Sequence, residues 1–396
     1  MTKRPKILFL QTNLFPRGGA TSVAAWMLEA LRRDFAITLL TADPVDWKEL
    51  NRLFGTSISP GDVEVLLMNR AARMLLRLDP DPESIQPLAY MMRICRRIRS
   101  QYDLVVCAAM EEADLGGYGL LYVHYPWLGS YWGSHLDAAR SLTKRVVGFV
   151  QGKLRPWVLL SGYSVARMKQ CRVLTNSDWT GAQVSAFYGI ATETVYPPIT
   201  PLADPADWAA RESSFVSVGR LNPAKRFDWM IDVMRRVREE HPEVRFHVVG
   251  TRDEDKVAKA YYRRLLREVE ANRDWVSLHE GPSRRELLNL LGRMKYAIHA
   301  KEDEHFGMAP AEALAAGCLP FVHDSGGQVE IVGREPRLCF TDADDAVRKI
   351  RRVLSDAALR EELQEFAHAR RRLFSVARFQ AEFLNAVHTS LEASSR

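Results

Sequence analysis

Paired cysteines are missing from this 396-residue chain. Its five (Cys95, Cys107, Cys171, Cys318 and Cys339) are odd in number and widely spaced, with no C-x-x-C. That excludes a disulfide-stapled secreted domain, and the thiols read as reduced core residues of a cytosolic protein. No stretch reaches the ~18 uninterrupted apolar residues of a membrane-spanning helix. The start, "MTKRPKILFLQTN", is basic, but its apolar run ends after four residues, too short for the core of a secretory signal. Low-complexity tracts and short-period repeats are absent. So is a strong charge excess: 55 Lys and Arg stand against 49 Asp and Glu, a formal +6. That balance suits anionic ligands or an anionic membrane surface, and no nucleic-acid partner is expected. His247, His305 and His323 have no helical spacing to one another or to cysteines, so no metal site is expected either.

Hydrophobic residues make up 47% of the chain and charged residues 26%, the balance of a soluble globular protein. The length exceeds what one core accommodates, so two domains of about 150–200 residues are expected. Short β-branched or apolar runs alternate with longer helical patterns. In the first half the runs are 6–12, 36–42, 63–68, 104–109, 120–125 and 172–177; in the second they are 214–221, 245–250, 276–281, 296–300, 318–324 and 338–342. Continuous apolar strands separated by helices imply parallel sheets covered on both faces. Two such sets imply an α/β chain with two doubly wound, Rossmann-like domains. Pro197, Pro198, Pro201 and Pro205 mark the linker, since proline continues neither a helix nor a central strand. The expected domains are 1–200 and 201–375. The stretch 375–393 reads as an amphipathic helix capped by Ser375, with Phe379, Phe383 and Val387 on one face.

The sharpest chemistry lies in "EDEHFGMAPAEALAAG", residues 302–317, after the strand-like "YAIHA". Pro310 suits a helix start and Gly317 its end. No Ser, Thr, Asp or Asn occupies Met308 or Ala309, where an N-cap belongs, so the first backbone N–H groups lack a side-chain partner. In a strand–loop–helix unit those donors face the crevice beyond the strand ends, a ready anion site. Gly307 lets a ligand approach the backbone; a surface helix start satisfied by water is the plainer alternative. Cations for an anion stand in "SVGRLNPAKRFDWMI". There Arg220 offers a fork for phosphate and Lys225 a point charge, five residues apart around Asn222-Pro223. Arg226 ranks below them because it is nearer the following helix.

Glu312 falls in the expected first helical turn, where the macrodipole favours a carboxylate. Such a group can accept hydrogen bonds from both hydroxyls of a ribose. Glu304, across the Phe306-Gly307 turn, can hold hydroxyls of a second sugar. Dipole compensation and a solvated loop acid are the plainer readings. In the first half, "QTNLFPRGGATS" places Gly18 and Gly19 between a strand and a helix. It lacks G-x-G-x-x-G, so a dinucleotide reading is weak, yet both glycines permit backbone approach to a ligand. His124, in "YVHYPW", ends another strand of that half. The stretches 143–170 and "RRIRS" (96–100) mix basic and apolar residues; either a membrane-lying face or a packed helix with a solvated basic side fits them.

Joined in this order, these pieces resemble the retaining glycosyltransferases of family 4, whose GT-B fold pairs two Rossmann-like domains. The resemblance covers nearly the whole chain and is strongest from 214 to 332. It rests on Gly18-Gly19, "NSDWT" (176–180), "VYPP" (195–198), "SVGRLNPAKRFDWMI", the pair Glu304 and Glu312, and "AAGCLPFVHDSGGQVEIV" (315–332). "YVHYP", "NSDWT" and "DEHFGM" are also similar to the group of eukaryotic mannosyltransferases that extend dolichol-linked oligosaccharide on its cytosolic side. Gln328 departs from the pattern, which carries proline there.

The resemblance implies an acceptor-binding domain at 1–200, a nucleotide-sugar-binding domain at 201–375, and a helix at 376–396 that packs back toward the first. It implies transfer of a hexose, mannose ahead of glucose, from a GDP- or UDP-linked donor with retention at the anomeric carbon. The acceptor would be a lipid-linked or cell-surface glycan precursor, reached from the cytoplasm or as a peripheral protein on the cytoplasmic membrane face. No metal and no cofactor besides the donor would be needed. In that reading Arg220, Lys225 and the N–H groups of Gly307-Met308 stabilise the leaving diphosphate, with Gly18 and Gly19 close by. Glu312 holds the ribose, Glu304 the donor sugar, His124 orients that sugar, His305 and Phe306 belong to the donor loop, and Gly281 lines the base. Two other readings differ in kind: a metal-dependent transferase using Asp79 and Asp81 in "DPDPE", where the prolines favour a simple loop, and a catalytically silent nucleotide-sugar-binding subunit.

Overall fold

Two parallel sheets organise the chain, and the computed structural model describes residues 4–15, 18–76, 86–109, 112–129, 161–200, 207–253 and 255–394. The first sheet contains β1 (Lys6–Leu10), β2 (Ala36–Thr41), β3 (Val63–Leu67), β4 (Leu104–Cys107), β5 (Leu120–Val123), β6 (Arg172–Thr175) and β7 (Glu193–Thr194), in the order 3-2-1-4-5-6-7. The second contains β8 (Glu212–Val218), β9 (Phe246–Gly250), β10 (Val276–Glu280), β11 (Met294–His299), β12 (Leu319–His323) and β13 (Cys339–Phe340), in the order 10-9-8-11-12-13. Residues Met1–Pro198 with Val376–Arg396 form one compact unit, and Ile199–Ser375 the other.

All twelve expected strands are present. The short β7 was missed because two residues beside Pro197-Pro198 carry no periodicity. Side-chain alternation explains why continuous apolar strands work here. In β1, Ile7 and Phe9 enter the core on one face, beneath the Gly19–Leu31 helix. Leu8 and Leu10 enter the core on the other, beneath the Gln86–Ile98 helix. A one-residue register slip would exchange the two faces along the whole strand.

The last helix, Val376–Ser394, completes the first of these cores. Phe379 and Phe383 stack at 6.1 Å, and Phe379 meets Tyr122 of β5 edge-on at 6.4 Å. Arg172 of β6 donates to the Ala386 carbonyl at 3.2 Å. The C-terminal crossover helix of the expected fold is therefore built by its buried aromatic face.

In each sheet the strand order reverses between two neighbours: β1 and β4 in the first, β8 and β11 in the second. The crossovers leave in opposite directions there, opening a crevice at the strands' C-terminal ends where α/β folds bind ligands. Asp79, Asp81 and most of the basic stretch 143–170 lie outside the described residues. Three basic residues that are described are already engaged. Arg167 pairs with buried Asp114 at 2.6 Å, Arg96 approaches it at 3.4 Å, and Arg99 donates to the Leu115 and Tyr118 carbonyls. Among the described residues no helix is long and apolar enough to cross a membrane.

Candidate active site

At the switch point of the second sheet, β8 ends at Val218 and the chain turns through Gly219 into the short helix Pro223–Lys225. A Cβ on Gly219 would lie 3.2 Å from the Lys225 stem, so the glycine lets that side chain cross the backbone closely. Lys225 Nζ then reaches Glu304 Oε2 at 2.5 Å, on the loop that follows β11. Two further bases converge on this carboxylate: Lys301 Nζ at 3.2 Å and His299 Nε2 at 3.2 Å. Burial alone would raise the Glu304 carboxyl, but His299, Lys225 and Lys301 outweigh it and hold the group well below the usual carboxylate range. Burial, reinforced by the Lys225 charge, lowers His299 despite its bond to Glu304. A neutral His299 facing an ionised carboxylate must carry its proton on Nε2. Burial likewise draws Lys225 below its ordinary value against the pull of Glu304.

Backbone geometry fixes the Glu304 loop. Gly327 N–H donates to the Glu304 carbonyl at 2.7 Å and Asp303 N–H to Ser325 Oγ at 2.8 Å. A Cβ on Gly326 (φ +70°) would fall 2.3 Å from the Glu304 carbonyl oxygen, so only glycine fits that contact. Gln328, the departure from the family pattern, is fully buried. Its amide donates to the Lys301 carbonyl at 2.6 Å and the Ser325 carbonyl at 3.2 Å, tying together the loops that follow β11 and β12.

The helix beyond, Met308–Ala315, has Gly307 (φ 105°) as its N-cap and no side-chain cap. The cap position is thus one residue earlier than the sequence placed it, and the uncapped start is as expected. Glu312 is consequently the fifth helical residue, not a first-turn acid, and the macrodipole argument for it lapses. Arg284 holds it instead, at 2.5 Å. Arg284 opens the helix Arg284–Arg293, capped by Ser283 and Glu286, directly after Gly281 (φ 58°) and Pro282. That link brings the Gly281 loop to Glu312.

The remaining donor-loop residues divide. Phe306 is 3% exposed and its ring packs 5.9 Å from Phe374, so its side chain serves the core. Met308 is half-buried at the helix start. His305 is half-buried, and burial pushes its imidazole down to about 4, leaving it neutral at pH 7. Arg220 does not join the Glu304 cluster: its side chain is 62% exposed and lies 3.6 Å from Asp253. Sequence reading missed Lys301, His299 and Arg284. "KEDE" looks like a solvated loop, and only the position of His299 at a strand's C-terminal end could have flagged it.

Gly18, Gly19 and His124 belong to the first unit. Gly18 is extended (φ −165°) with open space around its Cβ position, and it caps the Gly19–Leu31 helix without a side-chain bond. That conformation suits any residue, so the backbone does not require glycine there. His124 follows β5, is 8% exposed, and its carbonyl accepts from Asn176 Nδ2 at 3.0 Å.

A cationic crevice with one ionised carboxylate and an uncapped helix start can hold an anion that carries hydroxyls. Residues 204–370 match the family model described as glycosyl transferases group 1. This segment is a glycosyltransferase group 1 domain. The chain carrying it is 24% identical over 304 residues to the GDP-Man:Man(3)GlcNAc(2)-PP-Dol alpha-1,2-mannosyltransferase of Dictyostelium discoideum, covering 69% of this chain and 60% of that protein. It is 27% identical over 235 residues to the Homo sapiens protein of the same name, covering 54% and 48%. With the Yarrowia lipolytica protein of that name it shares 27% identity over 225 residues, covering 52% of this chain and 35% of that one. The chain thus spans between about a third and three fifths of these relatives' lengths. Among solved structures, Anabaena HepE in complex with UDP and glucose superposes with a TM-score of 0.67 at 17% identity, covering 97% of this chain and all of that one. Sucrose-phosphate synthase from Thermosynechococcus elongatus gives 0.69 at 17% identity, covering 99% and 100%. The glycosyltransferase group 1 domain and the unit before it therefore have the GT-B fold of two parallel-sheet α/β domains.

Proposed function

We propose that the chain transfers a hexose, mannose first, from GDP-mannose to a hydroxyl of a lipid-linked glycan precursor, with retention at the anomeric carbon and no metal. The carrying observation is the Lys225–Glu304 ion pair beside the Gly307 helix start at the switch point of the second sheet. The names of the relatives support mannose and a lipid-linked acceptor.

The hard step is departure of the nucleoside diphosphate as the sugar gains oxocarbenium character. Fixed positive groups aimed at the developing phosphate charge lower that barrier. Lys225 and the Gly307–Met308 N–H groups take this role, with Arg220 closing from the exposed side. Glu304 is ionised, so it cannot donate a proton; it accepts hydrogen bonds from the donor sugar's hydroxyls. Glu312, steadied by Arg284, accepts from the ribose. The acceptor hydroxyl passes its proton to the departing phosphate. The engaged state of Arg96, Arg99 and Arg167 leaves peripheral membrane contact to other parts of the chain.

Thermal-shift and turnover measurements with GDP-mannose, GDP, UDP-glucose and UDP test this reading, since only the true donor class stabilises by binding. Stabilisation by uridine compounds alone overturns GDP-mannose. Stabilisation by GDP-mannose without turnover on any lipid-linked acceptor would favour a silent binding subunit. Activity abolished by EDTA and restored by manganese would overturn the metal-free mechanism, and product of inverted anomeric configuration would overturn retention.

A further inference from the structure

At the opposite, N-terminal edge of the second sheet lies a cavity of about 590 Å³, within the ~300–1,000 Å³ of small-molecule sites. Arg211, immediately before β8, lines it with Arg371, Arg372, Trp208 and Gln364. The Arg211 guanidinium donates to the Ala316 carbonyl at 2.9 Å and the Met294 carbonyl at 3.3 Å. It lies so close to Gly317 (φ +97°) that a Cβ there would meet its Nη2 at 2.5 Å. Arg211 is thereby fixed in place at the cavity wall.

Arg371 shares the cavity, and its Nε is sealed from solvent without a hydrogen-bond partner. Burial lowers the Arg371 guanidinium and the Arg211 charge lowers it further, while burial pushes the neighbouring Cys318 thiol up to about 12, so it stays neutral and supplies no counter-charge. Asp207 acts on Arg211, while Arg371 has no carboxylate ion pair among the described residues. Arg211 is buried and Arg371 half-buried, so two like charges meet where water screens them poorly, and an anion between them relieves that repulsion even with Glu365 on the same wall.

We infer that this cavity binds a small phosphate-bearing metabolite, with its phosphate on Arg371 and Arg211 and Arg372 at the rim. Guanidinium forks match phosphate oxygens in pairs. Gln364 and Trp208 line the space beyond the phosphate, where a sugar- or polyol-sized remainder fits. The site lies at the other end of the strands from the Lys225–Glu304 crevice, and it does not depend on how the donor is read.

Titration calorimetry with inorganic phosphate at constant ionic strength tests it. Wild-type protein and Lys225→Ala should both bind saturably, and Arg371→Met should bind about tenfold more weakly, the effect of losing one charge-assisted contact. Arg371→Lys should recover part of that loss. Binding lost in Lys225→Ala but kept in Arg371→Met places the phosphate in the donor crevice and overturns the inference. So does the absence of saturable heat in wild type. Should Arg371→Met fail to fold, exposed Arg372→Met decides: weaker binding supports the site, and unchanged binding overturns it.

Discussion

Two glutamates, one in each unit and both largely withdrawn from water, are pushed in opposite directions. Glu112, between β4 and β5, is 1% exposed and accepts from Tyr188 Oη at 2.8 Å, Gly129 N–H at 3.1 Å and Leu128 N–H at 3.3 Å. Burial raises its carboxyl, and those neutral donors do not overcome the desolvation. Glu304 is also largely buried, yet Lys225, Lys301 and His299 drive it down. Burial sets the cost of a charge, and the cations and hydrogen-bond donors around the group decide whether it keeps it. Both glutamates follow a strand end in a sheet of the same switch-point design, so the fold supplies the position and the loops supply the electrostatics.

The largest disturbance of this contrast should come from Lys225→Ala. It removes the nearest cation from Glu304 and, in the proposed mechanism, from the leaving phosphate. Transition-state stabilisation should fall by roughly 2–4 kcal/mol, seen as a kcat lowered about 10²- to 10³-fold. Retention of full kcat would remove Lys225 from the leaving group. Glu304→Gln comes next. It leaves Lys225 and Lys301 facing each other across a neutral amide, and breaking a buried pair costs up to about 3–5 kcal/mol. Denaturant titration should show that loss, together with a raised KM for the donor.

The opposed pKa directions give a smaller but more diagnostic effect, measured as thermal midpoint against pH. A depressed carboxyl stabilises the fold above its unfolded value of about 4.3, and that contribution is lost as pH falls through the folded value. The midpoint difference between wild type and Glu304→Gln should therefore shrink on acidification. A raised carboxyl does the reverse: its contribution is present below about 4.3 and is lost as pH rises through the folded value. The difference between wild type and Glu112→Gln should accordingly shrink towards neutral pH. Slopes of the same sign would break the comparison.

The contrast was not legible in the sequence, although the fold that carries it was. Strands such as β1 and β8 announce themselves because burial on both faces demands unbroken apolar runs. The Gly307 helix start was visible too, since missing cap residues can be read locally, though it was placed one residue late. Charge pairing is different. Lys225 and Glu304 are distant in the chain, as are Arg284 and Glu312, and nothing local records which loops meet. Reading Glu304 as a solvated acid or a hydroxyl ligand missed the three bases around it. Placing Glu312 in the first turn invoked the dipole where an arginine does the holding. Phe306 looked like a loop residue beside the ligand because its core partner, Phe374, is also far along the chain.

Gln328 gives the smallest expected effect and the finest test of how Glu304 is held. Its amide is a single point of contact between two loops, donating to the Lys301 and Ser325 carbonyls. Gln328→Ala removes the donor from two half-buried carbonyls without altering any charged side chain of the cluster, at a cost of about 1 kcal/mol for each lost hydrogen bond. Should the loop then relax, Lys301 and Glu304 lose their fixed separation and the Glu304 carboxyl moves back toward its ordinary value. The acid limb of the midpoint-against-pH curve should shift upward in pH, while the Glu112-dependent behaviour stays as in wild type. A variant that loses stability equally at every pH would show that Gln328 merely fills space. A displaced acid limb would show that this one amide helps keep Glu304 charged.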